Sequence, residues 1–232
     1  MVKLSRMHLK GKIVLITGSS MGIGREDAYK FAQEGCKLII TYNKHKKEGE
    51  EVARECKKLG AEDVLLVELD VSDGKSIKNA VKRVVDKFGE TSILINNAGV
   101  VVWKHLENQS MTEIESQVRI NLEGLIKMTQ ECLPYITDMI INISSGAGMH
   151  GYPQLTTYCA TKWGVRGFTK ALTEELHKIK VYVVNPGTTA TQMNDFEGME
   201  PEKVAQVILN LAKGKYKLES GSDVNIWDYV KE

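Results

Sequence analysis

Residues Thr17 to Gly24 read T-G-S-S-M-G-I-G, directly after the apolar run Ile13-Val14-Leu15-Ile16. A buried strand that turns through glycines into a helix commits a chain to a βα unit, and such units assemble as a parallel sheet. Ligands of open parallel sheets lie beyond the carboxyl ends of the strands. Gly18 permits the tight turn; Gly22 and Gly24 let the backbone approach a phosphate and let the helix pack on its strand. The helix N-terminus favours negative charge. We therefore expect Gly18, Ser20, Met21, Gly22, Ile23 and Gly24 to cradle a phosphate-bearing ligand.

The same alternation continues along the chain. Strand candidates are Ile13–Thr17, Lys37–Tyr42, Val64–Glu68, Ser92–Asn96, Met139–Ser144, Val181–Asn185 and Val224–Trp227. Most are nearly continuous in apolar residues, as strands covered on both faces must be. Val52–Leu59 and Ile77–Phe88 have helical spacing, and Gly35, Gly60 and Gly89 follow helices where a left-handed residue is wanted. Ser110 and Glu113 have the spacing of a capping box. The expected fold class is α/β, a doubly wound parallel sheet, with residues 1–232 forming one domain.

Charge and composition exclude other classes. With a net charge of +1 and 26% charged residues, no global field draws the chain to nucleic acid or an anionic membrane. No apolar stretch approaches the roughly 20 residues of a membrane span. The basic N-terminal segment 1–10 lacks the apolar centre of a secretion signal. Cys36, Cys56, Cys132 and Cys159 form no C-x-x-C and have no histidine at metal spacing, so we expect no metal and reduced thiols in a cytoplasmic protein. For Cys159 the expected role is packing, because no base accompanies it. Neither His150 nor His177 enters the chemistry, although His150 could line a substrate mouth.

T-G-x-x-x-G-x-G, Asn96-Asn97-Ala98-Gly99, Ser145, Tyr158-x-x-x-Lys162 and Pro186-Gly187 occur in this order. Together they make the chain resemble the short-chain dehydrogenase/reductase family over about Lys10 to Met193, nearest in flavour to its carbonyl and 3-oxoacyl thioester reductases. The resemblance implies a Rossmann-type three-layer fold and a nicotinamide cofactor. It implies that Asp70, beside Val71, bonds the adenine ring, the rival role being a helix N-terminal carboxylate. It implies that Asn97, Ala98 and Gly99 border the cofactor, and that Pro186 and Gly187, with Thr188, Thr189 and Thr191, cover the nicotinamide.

The same resemblance assigns the chemistry to four side chains. Tyr158 exchanges a proton with a substrate carbonyl or alcohol. A free phenol titrates near ~10, and Lys162, one helical turn on, supplies charge that favours the phenolate. Lys162 also bonds the nicotinamide ribose. Ser145 holds the carbonyl oxygen, with Ser144 as its rival. Asn121 matches an asparagine that holds a water in the proton relay.

Cofactor choice turns on the end of the second strand. An acid there would bind both ribose hydroxyls and repel a 2′-phosphate. This chain has Asn43 and Lys44 instead, with no acid before Glu48, which favours NADP(H) over NAD(H). Many NADP-linked relatives carry a cation in the glycine turn, where Met21 stands here. The expected activity is an NADP(H)-dependent oxidoreductase acting on a carbonyl or secondary alcohol. An NAD-linked alcohol dehydrogenase and a non-catalytic nicotinamide-binding sensor are the rivals.

Departures from the family fall where a small-molecule substrate is chosen. The segment 188–200 makes only a short lid, and the turn between Pro134 and Ile140 is abbreviated. Val101, Val102, Trp103, Met149, Tyr152, Met193 and Phe196 would surround the pocket if these loops converge. Leu122, Leu125, Met128, Val165, Phe168 and Leu172 read as surplus apolar faces. The resemblance implies that their two helices pair in a homodimer or tetramer.

Overall fold

Strand residues in this chain are apolar on both faces, and the structure uses both. The computed structural model describes residues 7–230; the first part of the basic N-terminal segment and the end of the domain read above lie outside these described residues. Seven parallel strands run β1 Ile13–Ile16, β2 Lys37–Tyr42, β3 Asp63–Glu68, β4 Thr91–Asn96, β5 Ile136–Ile143, β6 Lys180–Asn185 and β7 Asp223–Asn225. They form one sheet in the order β3-β2-β1-β4-β5-β6-β7. The α/β, doubly wound fold is the one expected.

Side-chain alternation sorts the helices into two layers. Val14, Ile16, Leu38, Ile40, Ile93, Ile95 and Ile141 meet helices α1 (Gly22–Gln33), α2 (Lys46–Leu59) and α7 (Pro201–Ala212). From the opposite face, Ile13, Leu15, Ile39, Leu94 and Ile140 meet α3 (Gly74–Phe88), α5 (Leu125–Cys132) and α6 (Thr156–Glu175). Helix α4 (Met111–Val118) opens on the expected capping box, with Ser110 Oγ accepting from Glu113 N and Glu113 Oε2 from Ser110 N. None of the helices among the described residues is long and apolar enough to cross a membrane.

Three expectations need correction. Strand β5 begins at Ile136, so a 3₁₀ turn at Leu133–Tyr135 feeds it directly; Asp138, bound to Lys12 at 2.7 Å, had broken its apolar run. Strand β7 stops at Asn225, and Ile226–Asp228 coils into a 3₁₀ turn. The surplus apolar residues are core: Leu125, Met128, Val165 and Leu172 are buried, and Leu122 and Phe168 pack against them. Large apolar side chains exposed on these helices are Met111, Val118, Ile126 and Trp163 instead.

Among the described residues Asp27 is the one buried carboxyl without a hydrogen-bond partner. It lies within α1, 0% exposed, and neither oxygen has a hydrogen-bond partner. Burial, followed by the charge of Glu26, raises its pKa well above the ordinary value, so the folded state holds it as the neutral acid. The unfolded chain releases that proton at the normal carboxylate pKa. Stability from this group is therefore complete below about pH 4 and is lost as pH rises towards the folded pKa. Asp27→Asn, which cannot ionise, should melt higher than the parent at pH 8. The gap should close towards pH 4. Thermal midpoints that run parallel across this range would contradict the assignment.

Candidate active site

A cavity of about 660 Å³ opens where the strands end. Gly18 follows β1, Asn43 follows β2, Asp70 follows β3, Asn97 follows β4, Ser144 and Ser145 follow β5, and Pro186 follows β6; all line it. One space therefore runs across the carboxyl edge of the sheet, as the parallel topology requires.

Hydroxyl groups hold the glycine turn in place. Thr41 Oγ1 accepts from Gly18 N and donates to Ile16 O, each at 2.9 Å, while Ser19 Oγ accepts from Thr41 N at 2.8 Å. From the other side Thr17 Oγ1 accepts from the backbone N–H groups of Asn97 and Ala98, both at 2.9 Å. Asn97 Nδ2 returns bonds to Thr17 O and Gly18 O. The cradle tolerates no side chain: a Cβ on Gly24 would lie 2.5 Å from Asn97 Nδ2 and 2.7 Å from Gly18 O. This close packing, with free backbone at the start of α1, fits the pyrophosphate of a dinucleotide.

The other cofactor residues expected from sequence fall along the same wall: Ser20, Met21, Gly22, Ile23, Lys44, Val71, Ala98, Gly99, Gly187, Thr189 and Thr191 all line the cavity. Gly24 does not; it lies beneath the turn and serves the packing of α1. Asp70 is not a helix cap, since Asp73 takes that place on α3. Instead Asp70 Oδ1 accepts from Ser72 N and Ser72 Oγ. Burial pushes the Asp70 pKa up, but the bonds from Ser72 and Asn43 and the charge of Lys44 outweigh it and hold the carboxylate ionised. Asn43 and Lys44 thus already face this end of the cavity.

At the opposite end, α6 delivers Tyr158 and Lys162 one turn apart. Lys162 is 5% exposed, and its Nζ donates to Ile143 O at 2.9 Å while lying 5.5 Å from the centre of the Tyr158 ring. Ser145 stands close enough to the Tyr158 phenol to lower its pKa. Ser144 is committed elsewhere, donating to Lys162 O at 2.9 Å, so Ser145 is the hydroxyl that meets the phenol. Burial overturns one electrostatic expectation. Desolvation pushes Tyr158 up to about 12, with Ser145 only partly opposing it, and lowers Lys162 to about 8. At neutral pH the phenol keeps its proton and the ammonium its charge.

Asn121 is not part of the cavity wall. It is 1% exposed within a π-helical turn, Arg119–Gly124, that joins α4 to α5. Its Nδ2 donates to Val100 O and Thr161 Oγ1, and its Oδ1 accepts from Val100 N. The side chain thereby clamps the Gly99–Val100 strip; a Cβ on Gly99 would sit 3.3 Å from Asn121 Oδ1 and 3.7 Å from Lys162 Nζ. π-turns of this kind recur at functional sites.

Of the seven apolar residues expected around the pocket, Val101, Trp103, Tyr152 and Met193 line it, while Val102, Met149 and Phe196 do not; nor does His150. The segment 188–200 folds over the site: Thr189 bridges to Met199, and Thr191 lies against Gly22, whose added Cβ would meet its Cγ2 at 3.3 Å. No cluster of metal-ligating side chains occurs among the described residues. Gln109, Gln117 and Thr157 were not anticipated. Gln117 is buried and accepts from Val102 N; its amide donates to Gln109 Oε1, which also accepts from Thr157 Oγ1. The pair fastens the loop after β4 to the first turn of α6, beside Tyr158. Two glutamines eight residues apart carry no sequence signal for this.

Known proteins resemble this chain in sequence and fold. A family model described as short chain dehydrogenase matches residues 12–201. A 3-oxoacyl-[acyl-carrier-protein] reductase, FabG, of Thermotoga maritima is 34% identical, over 95% of this chain and 98% of its own. Estradiol 17-beta-dehydrogenase 11 of Macaca fascicularis is also 34% identical, over 88% of this chain and 73% of its own. A dehydrogenase/reductase from Sinorhizobium meliloti superposes with a TM-score of 0.88 at 25% identity, covering 94% of this chain and 95% of that one. The chain belongs to the short-chain dehydrogenase/reductase family, whose members are nicotinamide-dependent oxidoreductases of small molecules.

Proposed function

We propose that this protein is an NADP(H)-dependent carbonyl reductase with Tyr158 as its proton donor. The observation that carries the reading is the meeting of Tyr158, Ser145 and Lys162 at the far end of a cavity that begins at the glycine cradle. The nicotinamide, when bound, supplies the hydride to the carbonyl carbon. Ser145 holds the carbonyl oxygen and Tyr158 protonates it, a task suited to a phenol that burial keeps protonated. Lys162 keeps positive charge beside the phenol as that proton leaves. Asn121 acts as a positioning residue, holding Gly99 and Val100 against Lys162. The segment 188–200, with Thr189 and Thr191, serves as a short lid over Pro186 and Gly187. Exposed Met111, Val118, Ile126 and Trp163 fit pairing of their helices in a homodimer.

Tyr158→Phe should lower kcat for ketone reduction about 10²–10⁴-fold while NADPH still binds. Unchanged turnover in NADPH-consumption assays would remove the tyrosine from the chemistry. The pH profile follows from the two shifts. Reduction should be level between pH 6 and 7 and decline through about 8 as Lys162 loses its charge, with no break from a phenol held near 12. Alcohol oxidation, which needs the phenolate, should climb over the same range.

NADP(H) is favoured by the end of β2. Among the described residues lining that end, Lys44 is the one lysine or arginine, Asn43 and His45 flank it, and Met21 offers no charge. A charge-assisted bond to a 2′-phosphate contributes about 1.5–3 kcal/mol. Lys44→Ala should therefore weaken NADPH by about tenfold to a hundredfold and NADH hardly at all. Equal losses in fluorescence-titrated dissociation constants would overturn the NADP(H) assignment.

A further inference from the structure

The hydroxyl that the proposed reaction places on the carbonyl oxygen belongs to a turn, and that turn needs an anchor. Ser145 caps the 3₁₀ turn Gly146–Gly148, its Oγ accepting from Ala147 N at 3.1 Å. The direction of its side chain therefore follows the backbone of the turn. At the entrance the turn is tied to the sheet edge, Ser144 N donating to Val184 O and Gly146 N to Pro186 O, each at 2.8 Å. At the exit Gly148 packs directly on α6: an added Cβ would lie 2.8 Å from Lys162 O and 2.6 Å from Ser144 Oγ.

One side chain holds that exit. Arg166 Nη1 donates to Gly148 O at 2.7 Å, while its Nε and Nη2 donate to Asp223 Oδ1 and Oδ2 at 2.7 and 3.1 Å. The planar guanidinium fork suits this double duty, where a lysine would offer only a point charge. Asp223 opens β7; it also accepts from Asn185 Nδ2 at 3.1 Å and pairs with Lys170 at 3.0 Å. Burial raises its pKa, but the bonds from Arg166, Lys170 and Asn185 outweigh it and bring the value down to about 2. The Arg166 side chain is 16% exposed and that of Asp223 20%, so salt screens this pair less than a surface pair. The same C-terminal segment reaches the turn a second time: a Cβ on Gly146 would lie 3.8 Å from a Trp227 ring carbon.

Tyr158, Lys162 and Arg166 follow one another at four-residue steps along α6, so they share one helix face. The first two carry the proton and the charge of the proposed reaction. We propose that the third, Arg166, is a positioning residue: anchored by Asp223 of β7, it holds the Gly148 carbonyl and thereby aims Ser145 at the oxygen that Tyr158 protonates. The inference rests on the carbonyl-reductase reading above and extends its machinery to a strand whose Asp223 lies outside the cavity wall. A displacement of about 1 Å at a reacting site can cost about a hundredfold in rate, so a bond remote from the substrate is felt in kcat.

The test starts from the parent with NADPH and a panel of cyclohexanone, benzaldehyde, 2,3-butanedione, 9,10-phenanthrenequinone and acetoacetyl-coenzyme A, and carries the best substrate into the variants. Arg166→Lys should lower kcat about tenfold to a hundredfold, with KM and fluorescence-titrated NADPH affinity changed far less. Arg166→Met should lose at least as much. Asp223→Asn, which keeps the shape of the anchor without its charge, should fall in the same direction by less. Should the Met variant fail to fold, the Lys and Asn variants decide. The deciding readout is a double-mutant cycle with Ser145→Ala. A residue acting through Ser145 has little left to lose once that hydroxyl is gone, so Arg166→Lys should add little to the loss made by Ser145→Ala. Losses that multiply would assign Arg166 to the fold at large and overturn the inference alone, as would unchanged kcat in the Lys and Asn variants. Unchanged kcat in Ser145→Ala would remove Ser145 from the reaction, and no turnover of any carbonyl would overturn the reductase reading. Either result takes the inference with it.

Discussion

Everything in the site hangs on hydrogen bonds that close the crevice around the end of β1. That strand lies between β2 and β4, and the chain must leave it through a turn whose backbone groups would otherwise be unpaired. Thr41 and Ser19 satisfy the turn from the β2 side, and Thr17 with Asn97 satisfies it from the β4 side. Donors left at the start of α1 then face open space rather than each other. The same bonds fix the Asn97–Gly99 strip, against which Asn121 and Lys162 are placed. The glycine turn and the Tyr158–Lys162 pair are thus two ends of one hydrogen-bonded frame.

A second polar network sets the other half of that frame. Asn96 Nδ2 donates to Thr129 Oγ1 and to Asn142 Oδ1, and Asn142 Nδ2 donates to Thr169 Oγ1. These four buried side chains join β4, β5, α5 and α6, the elements that bring Asn121 and Tyr158 to the site. Inside an apolar core such a chain of bonds has few alternative pairings, so it specifies how the helices sit on the sheet. Outside this network, Asp223 binds Arg166 at 2.7 Å and Lys170 at 3.0 Å, and Arg166 reaches Gly148 O at 2.7 Å. That ion cluster ties β7 to α6 and steadies the loop behind Ser145.

What the sequence made legible was local. The T-G-S-S-M-G-I-G turn, the Ser110 capping box and the Tyr158–Lys162 spacing each depend on residues within a few positions of one another, and each appears in the structure as read. Where the outcome depends on distant neighbours, sequence reading failed for a physical reason. The Asp138 carboxylate hid the start of β5 because its partner, Lys12, is 126 residues away. Asp27 reads as an ordinary helical acid until packing removes its water. Helical apolar faces on α5 and α6 looked surplus because only the folded sheet shows how wide a stripe it covers. The pKa of Tyr158 goes up because burial, which no motif encodes, outweighs the lowering by Ser145.

The segment 188–200 is closed at its base by the Thr189–Met199 bridge, while Asp195, Phe196 and Gly198 adopt left-handed backbone at its tip. Asp195 and Phe196 do so without the freedom of glycine, and Phe196 stands largely in solvent. None of the residues between the two ends of the bridge belongs to a strand of the sheet. Insertions, deletions or substitutions at those few positions therefore leave the hydrogen-bonded sheet beneath them in place. The tip is thus the part of the site whose length and side chains can change at least cost to the fold.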